Sequence, residues 1–194
     1  MPRTVAMVVM AAVMVVGVGA CSQQMGPQNP EAMMKAYEEL AKPGPEHEKL
    51  QEACGTWKTV TKMWMGEDEP TASEGNSVIE PILGGLYVRE VFHGSVQGKK
   101  FTGWGIYGYD RGQGKYTSVW VDSMSTSPIM MLGTYDKEGK VMTLTGAYEC
   151  PMRGHVELKN VIKEVSDDEA VMTMYEVGWF GQEQKMMEIT YTRK

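Results

Sequence analysis

Gly55-Thr56-Trp57-Lys58-Thr59-Val60-Thr61-Lys62-Met63 decides the fold. Trp57, Thr59, Thr61 and Met63 share one face of an extended chain, while Thr56, Lys58, Val60 and Lys62 share the other. That period of two marks a half-buried strand. The alternation recurs to the C-terminus, broken about every ten residues by clusters of Gly, Pro, Asn, Asp and Ser. These residues supply the backbone angles that turns require. Ten strands result, over residues 55–65, 72–80, 85–94, 99–109, 115–122, 127–135, 140–148, 155–165, 169–177 and 183–192. Ten strands with short links form an antiparallel meander, which must close or leave two bare edges. The pattern therefore predicts an all-β fold, a ten-stranded antiparallel up-and-down barrel over residues 55–194. No repeat of about 30–40 residues is visible, which argues against a propeller.

Residues 31–53 read differently. Glu31 to Ala41 is rich in helix formers, with Met33, Met34, Tyr37, Leu40 and Ala41 at helical spacing. Pro43-Gly44-Pro45 breaks that helix, and Glu46 to Ala53 offers a second short one with Pro45 in its first turn. One or two short helices thus precede the barrel.

Further upstream, Arg3 is followed by an apolar run from Val5 to Val16 and by Val18-Gly19-Ala20-Cys21. One charge, an apolar stretch and a small-residue site make an export signal over residues 1–20. The run is shorter than the ~20 apolar residues of a spanning helix. The tetrad resembles the lipobox of bacterial lipoproteins, which implies a lipid on Cys21 and a membrane as partner. Residues 21–30 have the polar, Gly- and Pro-containing composition of a tether. Ser22 after the cysteine favours the outer over the inner membrane of a cell envelope. The whole chain has 19 Lys and Arg against 25 Asp and Glu; losing residues 1–20 removes only Arg3, which leaves a net charge of -7. No basic stripe exists, so nucleic acid is excluded as a partner.

Gly55-Thr56-Trp57 and Tyr191-Thr192-Arg193 are similar to the opening and closing motifs of calycin barrels, the lipocalins and fatty-acid-binding proteins. The resemblance implies structural closure by Trp57 and Arg193, with the guanidinium lying across the indole, a contact of about 0.5–2 kcal/mol. More specifically, the chain resembles the bacterial family known as domain of unknown function 1579, which is lipocalin-like. The likeness rests on Pro43-Gly44-Pro45-Glu46-His47, Leu50, Gly55-Thr56-Trp57, Leu83-Gly84-Gly85 and Gly108-Tyr109-Asp110. It continues through Tyr116, Trp120-Val121-Asp122-Ser123 and Glu188 to Arg193. It covers residues from about 31 onward and brings no established chemistry.

Parity selects the interior. Leu86, Val88 and Phe92 form the apolar face of the third strand, which carries Glu90 inward and His93 outward. An inward acid needs an arginine or a tyrosine hydroxyl as partner, or it stays protonated. Trp104, Trp120, Trp179, Tyr107, Tyr109, Tyr116, Tyr175 and Tyr191 supply aromatic surface. Met63, Glu90, Phe92, Tyr107, Trp120, Tyr175 and Tyr191 are the candidates to line a cavity for a small apolar ligand. The same side chains could instead fill the interior, leaving a structural or protein-interaction module whose protein partner the sequence does not name.

Other chemistry is sparse. No Gly-x-Ser-x-Gly, His-Glu-x-x-His, P-loop or dinucleotide fingerprint occurs, so the chain reads as no enzyme. No zinc-ligand spacing and no cofactor motif is present, and Asp110 reads as a turn former. Met63/Met65 and Met172/Met174 could meet Cu(I), but flexible core filling explains them as well. Cys54 and Cys150 fall at opposite ends of a meander, which favours two unbridged thiols.

Overall fold

The computed structural model describes residues 29–66 and 69–194. The proposed signal, Cys21 and the tether up to residue 28 lie outside the described residues. The chain divides after Tyr37 into two units. The first contributes most of helix α1 (Pro30–Leu40) and the second holds everything that follows. Among the described residues no helix is long and apolar enough to cross a membrane.

Helix α2 (Pro45–Gln51) has Pro45 in its first turn, where the missing N–H costs nothing. Its N-cap Gly44 donates its N–H to Nδ1 of His47 at 3.0 Å, so His47 is spent on capping and is buried against Tyr109. Ten strands follow: β1 (Gly55–Met63), β2 (Thr71–Ile82), β3 (Tyr87–Val96), β4 (Lys99–Asp110) and β5 (Lys115–Asp122). The remainder are β6 (Ile129–Asp136), β7 (Val141–Cys150), β8 (Gly154–Ser166), β9 (Glu169–Val177) and β10 (Glu183–Arg193). Each pairs antiparallel with its sequence neighbours, and β1 pairs with β10, so the sheet is a closed barrel without edges.

The expected strands all form, with ends shifted by up to two residues. Asp110 ends β4 and accepts from the N–H groups of Gly112 and Gln113 at 2.8 and 3.1 Å, the turn-forming role its sequence implied. All odd-to-even turns lie at one end of the barrel, here the distal end. Helix α2 sits at the other, where Leu50 enters a core of Val88, Tyr116, Met131, Leu144, Val156 and Leu158.

Closure is concentrated in Arg193. Its guanidinium carbon lies 4.2 Å from the Trp57 ring centroid. Its Nη1 and Nη2 donate to the carbonyls of Cys54 (2.8 Å) and Glu52 (3.0 Å), and its Nε to that of Asp167 (3.2 Å). Trp57 Nε1 donates to the carbonyl of Ala53 at 3.0 Å. The last strand thereby holds the α2–β1 junction. Gly55 is required there twice over: its φ is +146°, and a Cβ would meet Arg193 Nη1 at 2.5 Å.

Glycine also shapes the distal interior. Gly103 faces inward on β4, and a Cβ there would lie 2.1 Å from the Trp120 ring. Trp120 stacks on Phe101 at 6.4 Å and meets Phe92 edge-on, so this cluster packs the distal half.

Two stability outcomes follow from these contacts. Arg193→Ala should lower unfolding free energy in urea by about 2–4 kcal/mol, because a cation–π contact and charged hydrogen bonds vanish together. Lysine cannot reproduce the fork, so Arg193→Lys should recover only part of the loss. Gly103→Val should displace Trp120 and cost about 1–3 kcal/mol by overpacking, with altered near-ultraviolet circular dichroism as the local signature.

Candidate functional site: a cavity beneath α2

The interior is not filled. A cavity of about 410 Å³ opens at the α2 end, between α2 and the turns that follow β6 and β8. Ile79, Val88, Met142, Ile162 and Met172 make its apolar wall, with Trp57 at the closing seam. Lys49, Lys140, Glu164 and Asp167 bring charge to its mouth. The arrangement follows from period two: every wall residue is the inward member of its strand.

Glu90 lies in this wall with only 2% of its surface exposed. Among the described residues no cation partners it. Instead its carboxylate accepts three hydroxyls: Ser77 Oγ at 2.7 Å, Tyr107 at 2.9 Å and Tyr191 at 3.2 Å. Burial pushes the Glu90 carboxyl above the ordinary range, and the three donors only partly oppose it. Burial also drives both tyrosines well above their usual values, with the Glu90 charge adding to it. The cluster is a buried carboxyl ringed by three hydroxyls at the cavity wall. It offers hydroxyl and carboxyl groups held at fixed positions in an apolar chamber, the means of orienting one polar group of a ligand. Across the barrel, Asn160 also lines the cavity, and its Oδ1 is buried without a hydrogen-bond partner among the described residues.

The mouth is latched. Lys49 on α2 bonds Glu164 of β8 at 2.8 Å and Glu52 at 2.6 Å, and Tyr135 donates to Glu164 at 3.2 Å. Burial lowers the Lys49 pKa, but these hydrogen bonds outweigh it and hold the ammonium above its usual value.

The sequence candidates divide three ways. Glu90, Tyr107 and Tyr191 line the cavity, as do the closure residues Trp57 and Arg193. Phe92 and Trp120 face inward but belong to the packed distal cluster, and Met63 lines a separate pocket at the distal end. These three fill or border the interior away from the cavity. Tyr175 is a correction, because it faces outward, opposite Lys159 and Lys185, with the Lys159 ammonium 5.9 Å from its ring. Its neighbour Glu176 takes the inward place because Arg153 reaches over from the β7–β8 turn, 2.6 Å away, and neutralises it. Sequence reasoning missed Asn160, Met142, Ile162 and Met172 as lining residues. Their parity with Leu158 was the available signal for the two on β8.

His93 is exposed and bonds Thr102, and His155 is exposed beside Glu149. Cys54 and Cys150 are free, at opposite ends of the barrel. Met63, Met187 and Met174 stand side by side on adjacent strands as interior filling. Among the described residues no group of three or more His, Cys, Asp or Glu could hold a metal ion.

Solved structures place the architecture in known company. The Rv2717c protein of M. tuberculosis aligns over 79% of this chain and 99% of its own, with a TM-score of 0.57 and 14% identity. The S-type phycobiliprotein lyase CPES of Guillardia theta aligns over 81% of this chain and 96% of its own, with a TM-score of 0.50 and 12% identity. At such identities the likeness is one of fold alone. No curated protein matches the chain. The family model described as protein of unknown function DUF1579 matches residues 42–193, and the chain belongs to that family.

Proposed function

We propose that this protein is a lipid-anchored binding protein of the cell envelope that takes one small amphipathic molecule into its barrel. The observation that carries the reading is the cavity, about 410 Å³ of apolar chamber with one constellation of hydroxyl and carboxyl groups in its wall. Its size lies in the range of about 300–1,000 Å³ usual for small-molecule sites. The apolar body of the ligand packs on Ile79, Val88, Ile162 and Met172, and its polar group meets Glu90, Tyr107 and Tyr191. A barrel packed solid, as an interaction module would have, leaves no such space. The lipobox at Val18–Cys21 supports the anchor and the envelope location.

Native mass spectrometry of the full chain purified from membranes tests the ligand. Wild type should carry a small molecule of constant mass, and Ala170→Trp, which fills the cavity from β9, should not. Wild type free of any ligand, with no saturable uptake of a fluorescent amphiphile, would sink the reading. Mass analysis of the N-terminal peptide tests the acyl group on Cys21.

Glu90 makes the stability of the protein depend on pH. Its folded pKa is raised, so its favourable contribution is complete below the unfolded value of about 4.3 and is lost as pH rises through the folded value. Glu90→Gln cannot ionise and escapes that loss. Urea midpoints should show the variant level with wild type near pH 4 and gaining on it steadily as pH rises toward 8. A constant difference across that range would refute the assignment.

A further inference from the structure

The two ends of the barrel differ in what their turns present. At the α2 end, the turns after β4, β6 and β8 carry Arg111-Gly112-Gln113, Lys137-Glu138-Gly139 and Asp167-Asp168. At the distal end, three successive turns each project large apolar side chains into solvent. Met124 follows β5 and is 58% exposed; Met152 follows β7 and is 93% exposed; Trp179 and Phe180 follow β9 and are 98% and 96% exposed. Strands β6 and β7 are paired, as are β8 and β9, so these turns are neighbours around the rim.

The Trp179–Phe180 tip is built rather than loose. Gly178 N–H donates to the Gln182 carbonyl at 2.8 Å, Gly181 N–H to the Gly178 carbonyl at 2.8 Å, and Phe180 N–H to Gln182 Oε1 at 3.2 Å. Gly181 holds a φ of +78°. The turn satisfies its own backbone and leaves both rings with almost no protein contact. The basic side chains around the three turns each meet an acid, Arg153 on Glu176, His155 beside Glu149 and Lys159 on Glu183, while Glu157 is exposed. Asp122 accepts from Trp120 Nε1 and the Met124 N–H.

We propose that this distal rim docks on a lipid bilayer, with Trp179 and Phe180 entering the interfacial region and Met152 and Met124 beside them. Single apolar side chains on separate tips suit a fluid surface, whereas a protein partner would need a matching hole for each. An indole at the tip is the side chain that best matches the boundary between headgroup and acyl chain. With its basic groups already facing acids, the rim gains nothing from anionic lipid and holds through apolar contact, so added salt does not release it. The docking stands apart from the ligand reading, since the cavity opens at the opposite end.

The test uses the full chain, purified from membranes and reconstituted on phosphatidylcholine vesicles, some with brominated acyl chains. Wild-type tryptophan emission should be quenched by the brominated lipid, and Trp179→Ala should remove at least about half of that quenching, since Trp57 is buried, Trp120 packs inside, Trp104 lies on the side wall and Lys185 covers Trp64. Phe180→Glu should weaken it similarly, and Leu83→Glu, at the α2 end, should leave it unchanged. Quenching absent in wild type, or equal in wild type and Trp179→Ala, overturns the proposal. So does a photo-crosslinker at position 180 that captures a stoichiometric protein in cells instead of lipid.

Discussion

Everything in the barrel depends on one residue reaching back across it. Arg193 stacks on Trp57, donates to two carbonyls at the end of α2 and bonds the turn before β9. Any one of these contacts is modest. Together they join the last strand to the first and secure the helix whose Leu50 closes the core at that end. Without this junction β1 and β10 would present unpaired backbone, the hazard that closure removes. The glycine of Gly55-Thr56-Trp57 belongs to the same device, because a side chain there would occupy the place of the guanidinium.

The second constraint is Glu90. A buried carboxyl without a cation is tolerable only when hydroxyls surround it, and Ser77, Tyr107 and Tyr191 come from three other strands to do so. Tyr107 and Tyr191 are thereby held in place, one on each side of the chamber wall. The aromatic cluster of Phe92, Phe101 and Trp120 packs the distal half, so the open volume collects beneath α2.

Much of this is legible in the chain because a strand has only two faces. Val88 and Phe92 carry Glu90 inward with no further information, and turn clusters mark all ten strands. The motif pair at residues 57 and 193 even announces closure. Parity cannot rank depth along the axis, however. Phe92, Trp120 and Met63 point inward as parity requires, yet lie at the packed or distal end, because level is set by barrel shear and by where glycine leaves room. Tyr175 went astray for a different reason. Strand β9 is half apolar on both faces, and a partner 23 residues away, Arg153, decided which face could carry an acid. The cavity itself is a shape, the sum of what some twenty side chains fail to fill.

The pairing of β1 with β10 also sets an order of events. Cys54 and Arg193, joined at 2.8 Å, are separated by 139 positions in the chain. Hairpins between successive strands form from local contacts, but the ring closes only through this most distant pairing, where the loop-closure cost is largest. Until β10 is delivered, β1 waits with a naked edge, and the growing sheet is a template for other chains. The closing arginine is thus also a checkpoint in time: the barrel becomes one cooperative object only when its last strand arrives.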